Sequence, residues 1–132
     1  MSDERQPQLD PALVNEFVSV AHADHDAVKR LLAQEPALVK ASWDWGGGDF
    51  ETGLGAAAHM GHREIALLLL ENGAALDLFA AAMLGYVDVV QDMLATHPEL
   101  RDAKGAHGIP LVVHAQQGGE QAAAVLELLE AS

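Results

Sequence analysis

The chain has 132 residues, with 7 Lys and Arg against 20 Asp and Glu and a formal net charge of −13. That length suits one domain, and that charge repels nucleic acid and anionic lipid, so a nucleic-acid binder, which needs a basic face, is excluded. Half of the residues are hydrophobic but only 5% are aromatic, and Ala and Leu dominate, favouring an all-α core of small side chains over a β-sandwich. Cysteine is absent, which removes disulfides, thiolate nucleophiles and Cys-ligated zinc.

Residues 1–9 are polar and are expected to be disordered, with no apolar run of the kind a secretion signal needs. No later apolar run reaches membrane-spanning length, so a cytoplasmic location without membrane contact is expected. One domain is expected over 10–132. Asp10-Pro11 reads as an N-cap followed by proline at the first helical position. Leu13, Phe17, Val20 and Ala21 then form a stripe at helical period. Ala23-Asp24-His25 breaks that helix, and a second runs from about Asp26 to Gln34, stopped by Pro36.

Residues 40–53 carry both tryptophans, Phe50 and three consecutive glycines, and are expected to be a loop without helix or strand. An Ala-rich helix from Leu54, a turn at Gly61 and a Leu-rich helix ending at Asn72-Gly73 follow. Asp77 caps the next helix, whose partner runs from Val87-Asp88 to Ala95. After a loop at 101–108, Ile109-Pro110 opens a helix through Ala115, Gly118-Gly119 turns, and Gln121 to Glu130 forms the last helix.

Four segments align without gaps, beginning at Phe17, Leu54, Leu78 and Leu111. Each has a large apolar residue, Ala four positions later and Asp or Gly three after that, and each precedes an amphipathic helix. The chain resembles the ankyrin repeat, a finger plus two antiparallel helices with a period of about 33 residues. Thr52-Gly-Leu-Gly-Ala-Ala-Ala-His-Met-Gly-His-Arg-Glu-Ile-Ala-Leu-Leu-Leu-Leu-Glu-Asn-Gly-Ala follows the family pattern, departing at Gly53 for Pro and Gly55 for His. The resemblance implies an ankyrin-like α-solenoid with units at about 11–39, 52–76, 77–100 and 109–130. No helix pair can bury its Ala/Leu face alone, so the units must stack.

The spacing is irregular. Between Leu54 and Leu78 the repeat is shortened, so no finger is expected to project there; between Phe17 and Leu54 it is lengthened, so the finger with Trp43, Trp45 and Phe50 is expected to be oversized and to lean over the gap.

In the family the fingertips and exposed ends of the first helices bind partners. That implies a partner-binding row of His22, His59, Met60, Met83, Leu84 and Gln116, with Trp43, Asp44, Trp45 and Phe50 at its rim. The expected function is therefore a non-enzymatic protein-interaction module with no cofactor, taking a protein or peptide partner, a basic one in the sharper form of the reading. The chain is expected to be a monomer or to self-associate weakly through the C-terminal repeat.

The alternative is a small enzyme or sensor that binds a metal or small molecule with histidines and carboxylates in the groove. His22-x-x-His25 and His59-x-x-His62 place two histidines on one helical face. His62 and His25 match the family's structural turn histidine, so no metal is assigned. His97, His107 and His114 read as surface or helix-end residues. Asp44 and Asp49 near His59 are a conceivable acid–base group. Gly53-Leu-Gly55-Ala-Ala-Ala58 fits a dinucleotide fingerprint only if a strand precedes it, and none is expected at 49–52.

Overall fold

The computed structural model describes residues 8–131. The expected disorder of residues 1–9 therefore falls outside it, apart from Gln8 and Leu9. The helices come in four consecutive pairs: α1 (Pro11–Val20) with α2 (His25–Gln34), α3 (Gly53–His59) with α4 (Arg63–Glu71), α5 (Leu78–Leu84) with α6 (Val87–Thr96), and α7 (Leu111–Gln117) with α8 (Ala123–Glu130). The first members pack in the order α1, α3, α5, α7; α2 lies on α4 and α6 on α8. No helix among the described residues is long and apolar enough to cross a membrane.

Local chemistry sets the boundaries. Asp10, Asp24, Thr52 and Asp77 each cap a helix, their side-chain oxygens accepting from Ala12, Ala27, Gly55 and Ala80. The alanines at the helix interfaces (Ala57, Ala58, Ala81, Ala82 and Ala115) are buried, which lets the first helices approach closely. Gly85, after α5, is left-handed with φ 83°, and a Cβ there would lie 2.0 Å from the Gln121 carbonyl oxygen, so only glycine joins the last two pairs this closely.

Residues 40–53 are not a featureless loop. Ser42–Asp44 (β1) and Phe50–Thr52 (β2) pair antiparallel, with Trp43 opposite Glu51. The glycines make this hairpin instead of preventing it. Gly46, Gly47 and Gly48 all take positive φ, and the Asp44 carboxylate accepts from the Gly46 and Gly48 amides at 2.8 and 3.1 Å. A strand thus does precede Gly53. It belongs to a two-stranded hairpin and its inward residue is a carboxylate, so the parallel sheet of a dinucleotide fold is absent among the described residues. Residues 72–77, between α4 and α5, form neither helix nor strand. The oversized finger reaches past that short connection to the 101–110 loop, where Asp49 bonds His107.

Candidate functional site

The finger's one inward acidic residue is the centre of the site. Alternation along β2 turns Phe50 outward, 60% exposed, and Glu51 inward, 1% exposed. A carboxylate so buried needs partners on both oxygens. Oε1 accepts from the Trp45 indole N–H at 2.9 Å and lies 3.2 Å from His22 Nε2. Oε2 lies 2.8 Å from His59 Nε2 and 3.4 Å from His107 Nε2.

Each histidine arrives from a different element. His22 follows the end of α1, and its ring folds back so that Nδ1 lies 2.9 Å from the Val18 carbonyl oxygen and 3.1 Å from that of Ser19. His59 is the last residue of α3. His107 sits in a 3₁₀ turn, Ala106–Gly108, with the left-handed backbone angles φ 60° and ψ 18°. Asp49 holds that turn from the finger: its carboxylate accepts from the His107 backbone N–H and lies against Nδ1, both at 2.7 Å. The four rings of His22, His59, His107 and Trp45 stand edge-on or tilted to one another around the carboxylate.

The tautomers follow from these partners. A carbonyl only accepts, so His22 Nδ1 carries hydrogen; the Asp49 carboxylate fixes the same tautomer in His107. With hydrogen on Nδ1 alone, Nε2 would turn a lone pair toward Glu51, open to a metal ion; donation to the carboxylate needs a second proton on that nitrogen. Burial pushes the Glu51 carboxyl up, but hydrogen bonds from His22, His59 and Trp45 outweigh it and hold the group well below the usual carboxylate range. The hydrogen bond to Glu51 correspondingly raises His22 above its ordinary value, against the opposing effect of burial. The centre is a place for positive charge, whether protons or a metal ion. The ligand atoms of His22, Glu51, His59 and His107 all lie within 4.8 Å of one another.

The sequence-derived site residues divide. His22, His59 and Trp45 converge on Glu51, and Trp43 packs half-buried beneath the finger. Asp44 is exposed and closes the finger turn. Met60 and Gln116 are exposed. Met83 and Leu84 are 1% and 2% exposed, so these two do not form part of an open row: α5 is covered on both sides by α3 and α7 and contributes these side chains to the core. Each His-x-x-His pair is split. His62 caps α4 by accepting from the Ile65 amide, and His25 lies beside Asp26 at the start of α2. Asp49 meets His107, not His59.

Sequence reasoning missed Glu51 and His107. The available signal for Glu51 was a single acidic residue between Phe50 and Thr52 in an otherwise strand-compatible triplet. No protein-family model and no curated protein matches this chain.

Proposed function

We propose that this chain is a non-catalytic, ankyrin-like solenoid that binds one divalent transition-metal ion, zinc foremost, through His22, Glu51, His59 and His107. One observation carries the reading: three imidazole Nε2 atoms from three separate elements face one buried carboxylate, while acceptors hold the outer nitrogens of His22 and His107. Metal-binding histidines characteristically have such outer partners, which fix the tautomer and make the inner nitrogen more basic. Imidazole and carboxylate donors suit zinc and its neighbours. Bonds of about 2.0–2.1 Å in a tetrahedron require ligand atoms about 3.3 Å apart, a spacing that small rotations of the rings would reach. Four protein donors fill that tetrahedron, as in structural zinc sites, which supports the non-catalytic reading.

The ankyrin-like part rests on the order of the first helices, on left-handed Gly61 before the α4 cap at His62, and on the Ala74-to-Leu69 bond that closes α4.

Calorimetric titration of chelator-treated protein with zinc is the test. One ion per chain is expected. Sharing the ~10–16 kcal/mol of a structural zinc site over four ligands gives about 3 kcal/mol, or about a hundredfold, per ligand. Glu51→Gln and His59→Ala should each lose affinity on that scale, and His25→Ala should not. Absence of binding, or equal binding by Glu51→Gln, rejects the reading.

A second reading, docking of a protein or peptide partner, is favoured by Phe50 and Met60, which stand 60% and 48% exposed on the finger and after α3. A Phe50→Ala, Met60→Ala protein that still captures the same partner from a cell extract rejects it.

A further inference from the structure

The missing finger leaves a space. A cavity of about 380 Å³ lies between the Gly-rich finger and the 101–110 loop, over the start of α5 and one face of α7. Its lining includes Thr52, Asp77, Phe79, Lys104, Gly105 and His114. Glu51 also lines it, so the cavity borders the proposed metal centre, but His22, His59 and His107 do not line it.

His114 is the feature that asks for a ligand. It is 2% exposed, on α7. Its Nδ1 lies 2.9 Å from the Pro110 carbonyl oxygen and therefore donates, leaving Nε2 a lone-pair acceptor. Nε2 has no hydrogen-bond partner among the described residues. Burial holds the ring below its ordinary value, so it stays neutral and offers an acceptor rather than a donor. Gly105 keeps it uncovered: a Cβ there would stand 3.3 Å from Nε2 and 3.4 Å from the Phe79 ring.

Asp77 adds a second acceptor. One carboxylate oxygen caps α5 at 2.7 Å from the Ala80 amide, and the other has no partner among the described residues. The Phe79 ring centroid lies 4.8 Å from that of His114, and Phe79 and Asp77 line the same cavity. A neutral imidazole acceptor, a carboxylate oxygen and an aromatic face together select a positively charged N–H donor. An anion would meet the Asp77 charge and no donor from His114. The net charge of −13 favours approach of a cation. Lys104 is exposed at the lining and can swing outward.

We propose that this cavity binds a small primary ammonium compound, its N–H groups donated to His114 Nε2 and the free Asp77 oxygen and its carbon chain lying against Phe79. The site goes beyond the metal reading and does not depend on it.

The test uses n-butylamine and phenethylamine as probes, followed by the His114 ring-nitrogen shift in nuclear magnetic resonance titrations. Saturable shifts at His114 are expected with both amines and not with butyrate or tetramethylammonium, which lack N–H donors. Asp77→Asn, which keeps the helix cap, and Gly105→Ala, which places a methyl in front of Nε2, should each weaken binding about tenfold. Both variants should keep zinc binding unchanged, and His22→Ala, which removes a metal ligand outside the cavity lining, should keep amine binding. No saturable His114 shift with either amine, or an equal response to tetramethylammonium, overturns the proposal; so does undiminished amine binding by Gly105→Ala.

Discussion

Glu51 shows how one buried residue organises its neighbours. Its carboxylate is usable only because Trp45 donates to it from within the same finger while histidines close the remaining directions. Trp45→Phe keeps an aromatic ring there but removes the N–H donor. We expect a loss of about 1–2 kcal/mol in urea unfolding of metal-free protein, the usual effect of stripping one partner from a buried charged acceptor. His114 makes a different contribution. Its folded-state value lies below the ordinary one of 6.5, so between the two values the unfolded chain binds more protons and stability rises with pH. The contribution is therefore present above about the ordinary value and is lost as pH falls through it. Replacing His114 by Leu removes that dependence, so the stability gap between wild type and variant should shift toward the variant between pH 7 and pH 5. A gap independent of pH would show that the ring charges freely in the fold.

At the scale of elements, the finger and the 101–110 loop are tied by Asp49. Asp49→Ala removes both bonds to His107, whose left-handed backbone costs about 1–2 kcal/mol without that support. Hydrogen exchange at residues 104–109 should become faster while exchange in α3 and α5 stays unchanged. The tight joint at Gly85 makes the opposite kind of demand. Gly85→Ala forces the helix pairs apart and should cost about 2–3 kcal/mol, read as a lower midpoint in thermal unfolding.

These elements also mark what could be read in advance. Caps at Asp10 and Asp77, the stop at Pro36 and the turn at Gly73 act within a few residues, so the helix pairs were legible from their own stretches of chain. The shortened spacing before Leu78 and the lengthened one before Leu54 likewise announced a large finger beside a bare connection. Glu51 and His107 were illegible for the converse reason. A charged residue in a three-residue strand looks solvated until α1, α3 and a loop beyond α6 enclose it, and nothing near His107 in the chain identifies Asp49 as its partner. Met83 and Leu84 failed as surface positions because their exposure depends on whether α7 stacks on α5.

For the molecule as a whole, the proposed metal centre joins the first helix pair, the finger, the second pair and the last loop. An ion that binds only this arrangement stabilises it by mass action, about 2.7 kcal/mol at a free concentration one hundred times the dissociation constant. We therefore expect zinc at that concentration to raise the melting temperature of wild type and to move that of Glu51→Gln far less, as read by circular dichroism during heating. A wild-type transition that does not move with added zinc would separate the histidine cluster from global stability.

Most of the chain lies between His22 and His107, and that separation bears on the order in which the protein is built. Helix pairs form from neighbouring residues and can organise early, but the last imidazole reaches Glu51 only when the loop before α7 has bent over the finger. Closing so distant a contact is the slow kind of event in folding. During synthesis the nascent chain would carry three of the four ligands well before the fourth emerged, with His22, Glu51 and His59 left as an open, weaker coordination shell. Closure of the full four-ligand site would thus report that the loop before α7 had met the finger.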